Sequence, residues 1–301
     1  MNRRSFGKGL LQASVVSALA GPRTWAAAPL VPTPHEAGLP TFSVMLWTLP
    51  KSLSFEQQLQ VVHDAGYGSV EVLNEYEHWT PEKWRRNLAK LHALGLTVDS
   101  AVPGRNTLAD STQRKALRDD LKRAIPGAKD LGCSQFIYTA YNRVPGQTPE
   151  QQRAAIVDTL KFAADMLERD GFELVLEPID LLEHKEEAVT SVVEAAAITR
   201  AVGSPRVKVL YDFFHEQRQA GNLIESLEKN IEQVGLVHIA DSPSRHRPGT
   251  GEINYTNIYR KLAELKYRRT ICMEFLPVGD PVEELRNARL EAVRAMNDVH
   301  R

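Results

Sequence analysis

The chain is short of several things, and each shortage excludes something. Cysteine is nearly absent: Cys133 and Cys272 are the two in 301 residues, each inside an apolar strand-like stretch. Two are too few for a disulfide framework, and neither lies near enough to other ligands to suggest a closed structural zinc site. One bridge would be possible in an oxidising compartment, but both read as small buried residues. Neither sign of charge is in excess, with 37 basic against 38 acidic residues and a formal net charge of -1. That removes the basic field a nucleic-acid partner needs and the polybasic surface of a membrane-bound protein; a small, roughly neutral substrate fits better. No Gly/Ser-rich linker divides the chain, and no G-x-G-x-x-G follows the first apolar run, so a dinucleotide-binding open sheet has little to recommend it.

Long apolar runs are missing as well. "NRRSFGK" (Asn2 to Lys8) places twin arginines ahead of "GLLQASVVSALAG", and "WAAAPL" offers small residues for cleavage near Ala28. The apolar stretch is broken by Gln12 and Ser14, falls short of the ~20 residues a bilayer span needs, and is followed by Pro22 and Arg23. Residues 1–28 therefore read as a twin-arginine signal peptide and 29–41 as a linker. The expectation is a periplasmic protein, exported folded by that route, with no stable membrane insertion afterwards.

What is present begins after Pro40. Short apolar runs rich in β-branched residues alternate with longer stretches of helical period. The runs start at Phe42, Ser69, Leu96, Gln135, Glu173, Val207, Gly235 and Thr270, far enough apart for one helix each time. Ser54 reads as an N-cap with Gly66 closing that helix. Thr80 caps another, with Pro81 at its first position and Gly95 past its end. Eight such units make residues 42–301 an α/β domain, a single (β/α)8 barrel, rather than a doubly wound sheet.

In such barrels chemistry sits where the strands end. Glu177 ends the fifth run, Asp212 the sixth, with His215 just beyond; His238 lies in the seventh, and Glu274 ends the eighth. Two Glu, one Asp and one His on consecutive strands converge on one side of the axis. Buried carboxylates repel one another unless a cation sits among them. Oxygen and imidazole donors in that ratio suit Mn²⁺, Mg²⁺ or Co²⁺, with Zn²⁺ possible.

"LEPID", "LYDFFHEQ", "VHIADSPSRHRPGTGEINY" and "MEF" resemble the hydroxypyruvate isomerase family, within the xylose-isomerase-like superfamily of sugar isomerases and epimerases. The likeness runs from about Phe42 to Pro277 and is most specific in "PGTGEINY". It implies a TIM barrel holding a divalent metal through Glu177, Asp212, His238 and Glu274, with Glu177 and Glu274 as the acid/base pair. The expected activity is proton transfer next to a carbonyl through an enediolate, on a sugar or keto-acid substrate. Isomerisation moves the proton between neighbouring carbons; epimerisation returns it to the opposite face. Glu183, His215 and Arg245 match substrate-contacting positions. Many hydroxypyruvate isomerases have Gln where this chain has His238, and the ketose 3-epimerases have His. Where isomerases tend to show "EYKP", this chain has "EFLP", so Phe275 and Leu276 lack a hydroxyl and a cation able to bind a carboxylate.

Other expectations attach to single residues. Trp47, Tyr138 and Tyr141 could wall a sugar ring, and Glu252, after two glycines, should fix its loop or Arg245. A ketose 3-epimerase and a periplasmic 3-keto-glycoside lyase would use the same metal site, and a non-catalytic sugar-binding barrel is a third class. A metal-dependent DNA repair endonuclease would need more histidines at the strand ends and a basic groove. Whether the chain forms a homo-oligomer is left open.

Overall fold

Each of the eight apolar runs forms a strand in the computed structural model, which describes residues 38–300. They are β1 (Thr41–Met45), β2 (Ser69–Val72), β3 (Thr97–Ala101), β4 (Gln135–Thr139), β5 (Glu173–Glu177), β6 (Val207–Asp212), β7 (Val234–Ile239) and β8 (Thr270–Met273). All neighbours are parallel, and β1 pairs with β8 to close a barrel in chain order. The expected signal segment and most of the expected linker lie outside the described residues. β5 and β7 are buried at every position, as strands covered on both faces must be.

The helices ring this barrel: α1 (Phe55–Asp64), α2 (Pro81–Ala93), α3 (Arg114–Asp130), α4 (Pro149–Asp170), α5 (Val192–Val202), α6 (Phe213–Gln219), α7 (Leu223–Asn230), α8 (Tyr255–Glu264) and α9 (Pro281–Asn297). Ser54 and Gln57 form a capping box on α1, and Thr80 caps α2 ahead of Pro81, as the sequence predicts. One helix per unit is not what forms throughout. The connection between β6 and β7 carries two, because the chain passes through left-handed conformations at Gly221 (φ +65°) and Asn222 (φ +52°). The short α6 starts on the last residue of β6 and carries His215 directly over the strand ends. Cys133 and Cys272 are both buried and unbridged.

Inside the barrel, Met45, Ile137, Val175, Leu210, Leu236 and Cys272 form a small apolar cluster separate from the core between strands and helices. Polar residues share that interior. The Ser43 and Ser69 hydroxyls donate to Asp99 Oδ1 (2.6 and 2.5 Å), and fully buried Glu71 meets His238. Nothing in the sequence marks this layer, since its members are brought together only by closure of the barrel.

The loop from β7 to α8 is organised by Asp241. Its Oδ2 accepts the amides of Gly249 (2.8 Å) and Gly251 (2.9 Å), and its Oδ1 that of Ile253 (3.0 Å). Glu252 Oε1 accepts from Ser242 Oγ (3.2 Å) and Gln217 Nε2 (3.3 Å), so it fixes the loop and does not touch Arg245. A Cβ on Gly251 would meet Ser242 O at 2.0 Å and Asp241 Oδ1 at 2.5 Å, and neither is free to retreat. Gly251→Ala should therefore cost about 3 kcal/mol, the upper end for overpacking. Gly249→Ala, where only the positive φ is strained, should cost about 1–2 kcal/mol. Chemical unfolding of both variants checks the order; equal losses would contradict it.

Candidate active site

Four donors come together where β5 to β8 end. Glu177 is the last residue of β5. Asp212 is the last of β6 and caps α6, accepting the Phe214 amide at 2.8 Å. His238 is one residue short of the end of β7, and Glu274 directly follows β8, its amide donating to Ile239 O (3.0 Å). All four are buried, and one ligand atom from each lies within 4.8 Å of the others.

Three carboxylates this close need positive charge, and two side chains supply it. Arg245, in the left-handed region at φ +55°, donates from Nη2 to Glu274 Oε2 (2.6 Å) and reaches Asp212 Oδ2 (3.5 Å). Its guanidinium is stacked between Trp47 (5.4 Å) and Phe214 (4.8 Å). His238 donates from Nδ1 to Glu274 Oε2 (2.8 Å) and from Nε2 to Glu71 Oε2 (2.9 Å). Burial pushes this imidazole down, but Glu71 and Glu274 outweigh that and hold it well above the usual range. The donors thus fit a divalent cation in number, type and closeness. The need for positive charge among them is visible in the arginine and the imidazolium pressed against them.

The two glutamates are held differently. Burial raises Glu274, yet Arg245 and then His238 more than reverse this, so it stays ionised far below the ordinary carboxylate range. Its Oε1 also accepts from Trp47 Nε1 (2.9 Å). Glu177 accepts no hydrogen bond from any described residue. Burial first, and the neighbouring Glu274 second, push it up to about 7.

These groups open onto a cavity of about 290 Å³. Its lining includes the expected Glu177, Glu183, His215, His238, Arg245 and Glu274. Asp212 lies behind that lining, and His215 and Arg245 link it to the cavity wall. Glu183 is half exposed and accepts from Arg218 Nη1 (3.2 Å) at the rim. His215 donates from Nδ1 to Asp180 Oδ2 (2.7 Å), which aims Nε2 toward Asp212 and Arg245. Trp47 and Tyr141 line the cavity as expected. Tyr138 does not: it points outward into the core and is fully buried there.

Several residues here escaped sequence reading. Asp180 stands in the "EPID" motif, three positions after Glu177, and a carboxylate so near a strand-end ligand was a usable signal. Glu71 gave none, since its partner His238 is 167 positions away. Glu187 and Arg105 sit in loops of ordinary polar composition. The Glu187 carboxylate accepts the Ala188 amide (3.1 Å) and is faced by that of Tyr141, tying the loop after β4 to the loop after β5.

Residues 59–295 match the family model described as xylose isomerase-like TIM barrel. A putative hydroxypyruvate isomerase of Mus musculus is 32% identical over 260 residues, covering 79% of this chain and 90% of that protein. A 2-oxo-tetronate isomerase of Pectobacterium atrosepticum is 27% identical over 245 residues, covering 80% and 94%. Among solved structures, a family 2 AP endonuclease from Brucella melitensis aligns with a TM-score of 0.75 at 25% identity, covering 82% of this chain and 97% of that one. A D-psicose 3-epimerase in the presence of D-fructose aligns with a TM-score of 0.73 at 17% identity, covering 85% and 99%; that likeness is one of fold.

Burial pushes the Glu187 carboxyl up to about 8, against the smaller opposing pull of the amides it accepts. A raised acid binds its proton more tightly folded than unfolded. Its contribution to stability is complete below the ordinary value near 4.5 and is lost as pH rises through 8. The melting temperature of wild type should fall between pH 6 and pH 9, and Glu187→Gln, which cannot ionise, should fall less. Identical slopes would contradict the assignment.

Proposed function

The chain belongs to the xylose isomerase-like TIM barrel family and is an enzyme of the isomerase and epimerase kind; on that premise we propose a divalent-metal-dependent isomerase of a small keto acid or sugar, hydroxypyruvate isomerase-like, working through an enediolate. The observation that carries the proposal is the contrast between two adjacent carboxylates. Glu177 is buried, free of hydrogen bonds from the described residues and poised near neutrality, whereas Glu274 is locked in ionised form by Arg245, His238 and Trp47. A general base works best with a pKa near the working pH, and Glu177 meets that condition.

Glu177, Asp212, His238 and Glu274 would hold the cation, with Mn²⁺, Mg²⁺ or Co²⁺ suiting the oxygen-rich set and Zn²⁺ acceptable to it, and it would supply a Lewis acid for the carbonyl oxygen of the substrate. Glu177 takes the proton from the carbon beside the carbonyl. For isomerisation the same carboxyl returns it to the neighbouring carbon, so one residue suffices. Glu71 holds the His238 ring through Nε2, which leaves Nδ1 facing the site. His215, oriented by Asp180, and Arg245 present donors to substrate hydroxyls, and Glu183 closes the rim. Trp47 and Tyr141 give the cavity aromatic walls.

A ketose 3-epimerase is the second reading, favoured by His238 in the donor set and by Glu274 as a second carboxylate for the opposite face. A nucleic-acid substrate is disfavoured by a cavity of about 290 Å³ and a net charge of -1. Export to the periplasm by the twin-arginine route belongs to the proposal and rests on Arg3, Arg4 and the apolar stretch after them.

The test is a substrate panel with Mn²⁺: hydroxypyruvate, a 2-oxo-tetronate, D-psicose and a 3-keto-glucoside. Interconversion of an acid or a free ketose is expected, and Glu177→Gln should lower its kcat by about 10²-fold or more without lowering the melting temperature. Cleavage of the 3-keto-glucoside alone would make the protein a lyase. Consumption of none, or full turnover by Glu177→Gln, would overturn the reading.

A further inference from the structure

Two arginines line the cavity, and they are not in the same state. Arg245 is engaged by Glu274, Asp212 and His215. Arg105 makes no hydrogen bond or ion pair with any described residue; its contact is with the ring face of Tyr141, 5.7 Å from the guanidinium. We propose that Arg105 is a specificity-determining residue whose guanidinium binds the carboxylate of a small 2-keto acid, at the side of the cavity away from Glu177 and Glu274. This rests on the isomerase reading for the identity of the reacting end, and on geometry of its own for the anion subsite.

The wall behind Arg105 is built rather than incidental. Tyr141 holds φ +62°, a left-handed backbone that costs a side-chain-bearing residue energy and persists only where its surroundings enforce it. Here they do. Glu187 pins the adjoining amides, Arg143 Nε donates to Glu187 O (3.0 Å), and Asn142 bridges to Glu187. Tyr141 also stacks on His184, with centroids 5.1 Å apart and planes 8° from parallel. His184 Nε2 is in turn bonded to Asn142 Oδ1 (3.0 Å). The result is a ledge of guanidinium, phenol and imidazole drawn from the loops after β3, β4 and β5. It presents a fork of N–H donors that no described residue meets.

Topology and charge say which part of a substrate belongs there. β3 lies across the closed barrel from β7, so Arg105 faces the cavity from the side opposite His238. On the His238 side, the acid group of the substrate would meet the carboxyl groups of Glu177 and Glu274, which lie with His238 in one cluster. On the Arg105 side it meets a planar cation, unpaired among the described residues and able to take both oxygens at once. A 2-keto acid therefore places its reacting carbonyl by the glutamates and its acid group on Arg105.

Calorimetric titration with Mn²⁺ present tests this on wild type, Arg105→Met and Arg105→Lys. Hydroxypyruvate is compared with dihydroxyacetone, its neutral counterpart in which a hydroxymethyl group replaces the carboxylate. Arg105→Met should weaken hydroxypyruvate about 10-fold to 100-fold, the range for a charge-assisted contact, and leave dihydroxyacetone within about twofold. Arg105→Lys should recover part of the loss. For any acid turned over, KM should rise and kcat hold. Equal weakening of both ligands, no weakening of the acid, or wild type binding both ligands equally would overturn the subsite. Each titration is repeated in a Glu177→Gln background, where the acid is held without being converted, so binding is read without turnover and the two failures are distinguishable. Arg105-dependent binding of the acid with no turnover of any panel compound refutes the isomerase reading and supports the subsite. Turnover of ketoses with an acid affinity indifferent to Arg105 refutes the subsite alone.

Discussion

Three carboxylates buried within one ring of strand ends must be balanced by positive charge, and much of this structure follows from that requirement. Glu177, Asp212 and Glu274 are buried side by side, and carboxylates so placed repel one another unless cations are held against them. His238 and Arg245 meet part of the demand, and each is itself held. His238 depends on Glu71, inside the barrel beneath the site. Arg245 depends on a loop that Asp241 folds around three amides and on the aromatic faces of Trp47 and Phe214. The residual excess of negative charge, with donors already converging, is what makes a divalent cation the natural completion of the site.

The same electrostatics divide the labour between the glutamates. A carboxylate paired with a guanidinium, an imidazolium and an indole N–H is stable as an anion and a weak base. A buried carboxylate lacking such partners, next to another negative charge, gains basicity. Enzymes that transfer protons near neutrality exploit this kind of contrast. Across the cavity the arrangement reverses, with a cation that no described residue pairs standing against an aromatic ledge. Together the two sides describe a site for a molecule that is a carbon acid at one end and an anion at the other.

How much of this was legible beforehand depended on how local the signal was. β5 and β7 announce themselves because buried parallel strands read as unbroken apolar runs, and Glu177, Asp212, His238 and Glu274 stand out as polar residues at the ends of such runs. The α6–α7 division was hidden, since it rests on Gly221 and Asn222 taking left-handed backbone, which many glycines and asparagines in loops do not do. Glu71 and Asp99 were invisible because strand alternation normally sends such residues outward; only a closed barrel gives them an interior to occupy. Tyr138 and Tyr141, three apart, seemed equivalent, but the first lies in a strand facing the helices and the second in a loop facing the cavity. Arg105 carried no signal in the sequence, because the ledge it stands against is assembled from the separate loops after β4 and β5.

The central claim is that the four strand-end donors act together on one divalent cation. Equilibrium dialysis of the metal-free protein against Mn²⁺, with bound metal counted by mass spectrometry, tests it most directly. The account predicts one Mn²⁺ per chain in wild type, and loss of that binding in Asp212→Ala with the fold retained by circular dichroism. No bound Mn²⁺ in wild type, or full binding in a folded Asp212→Ala, would contradict it.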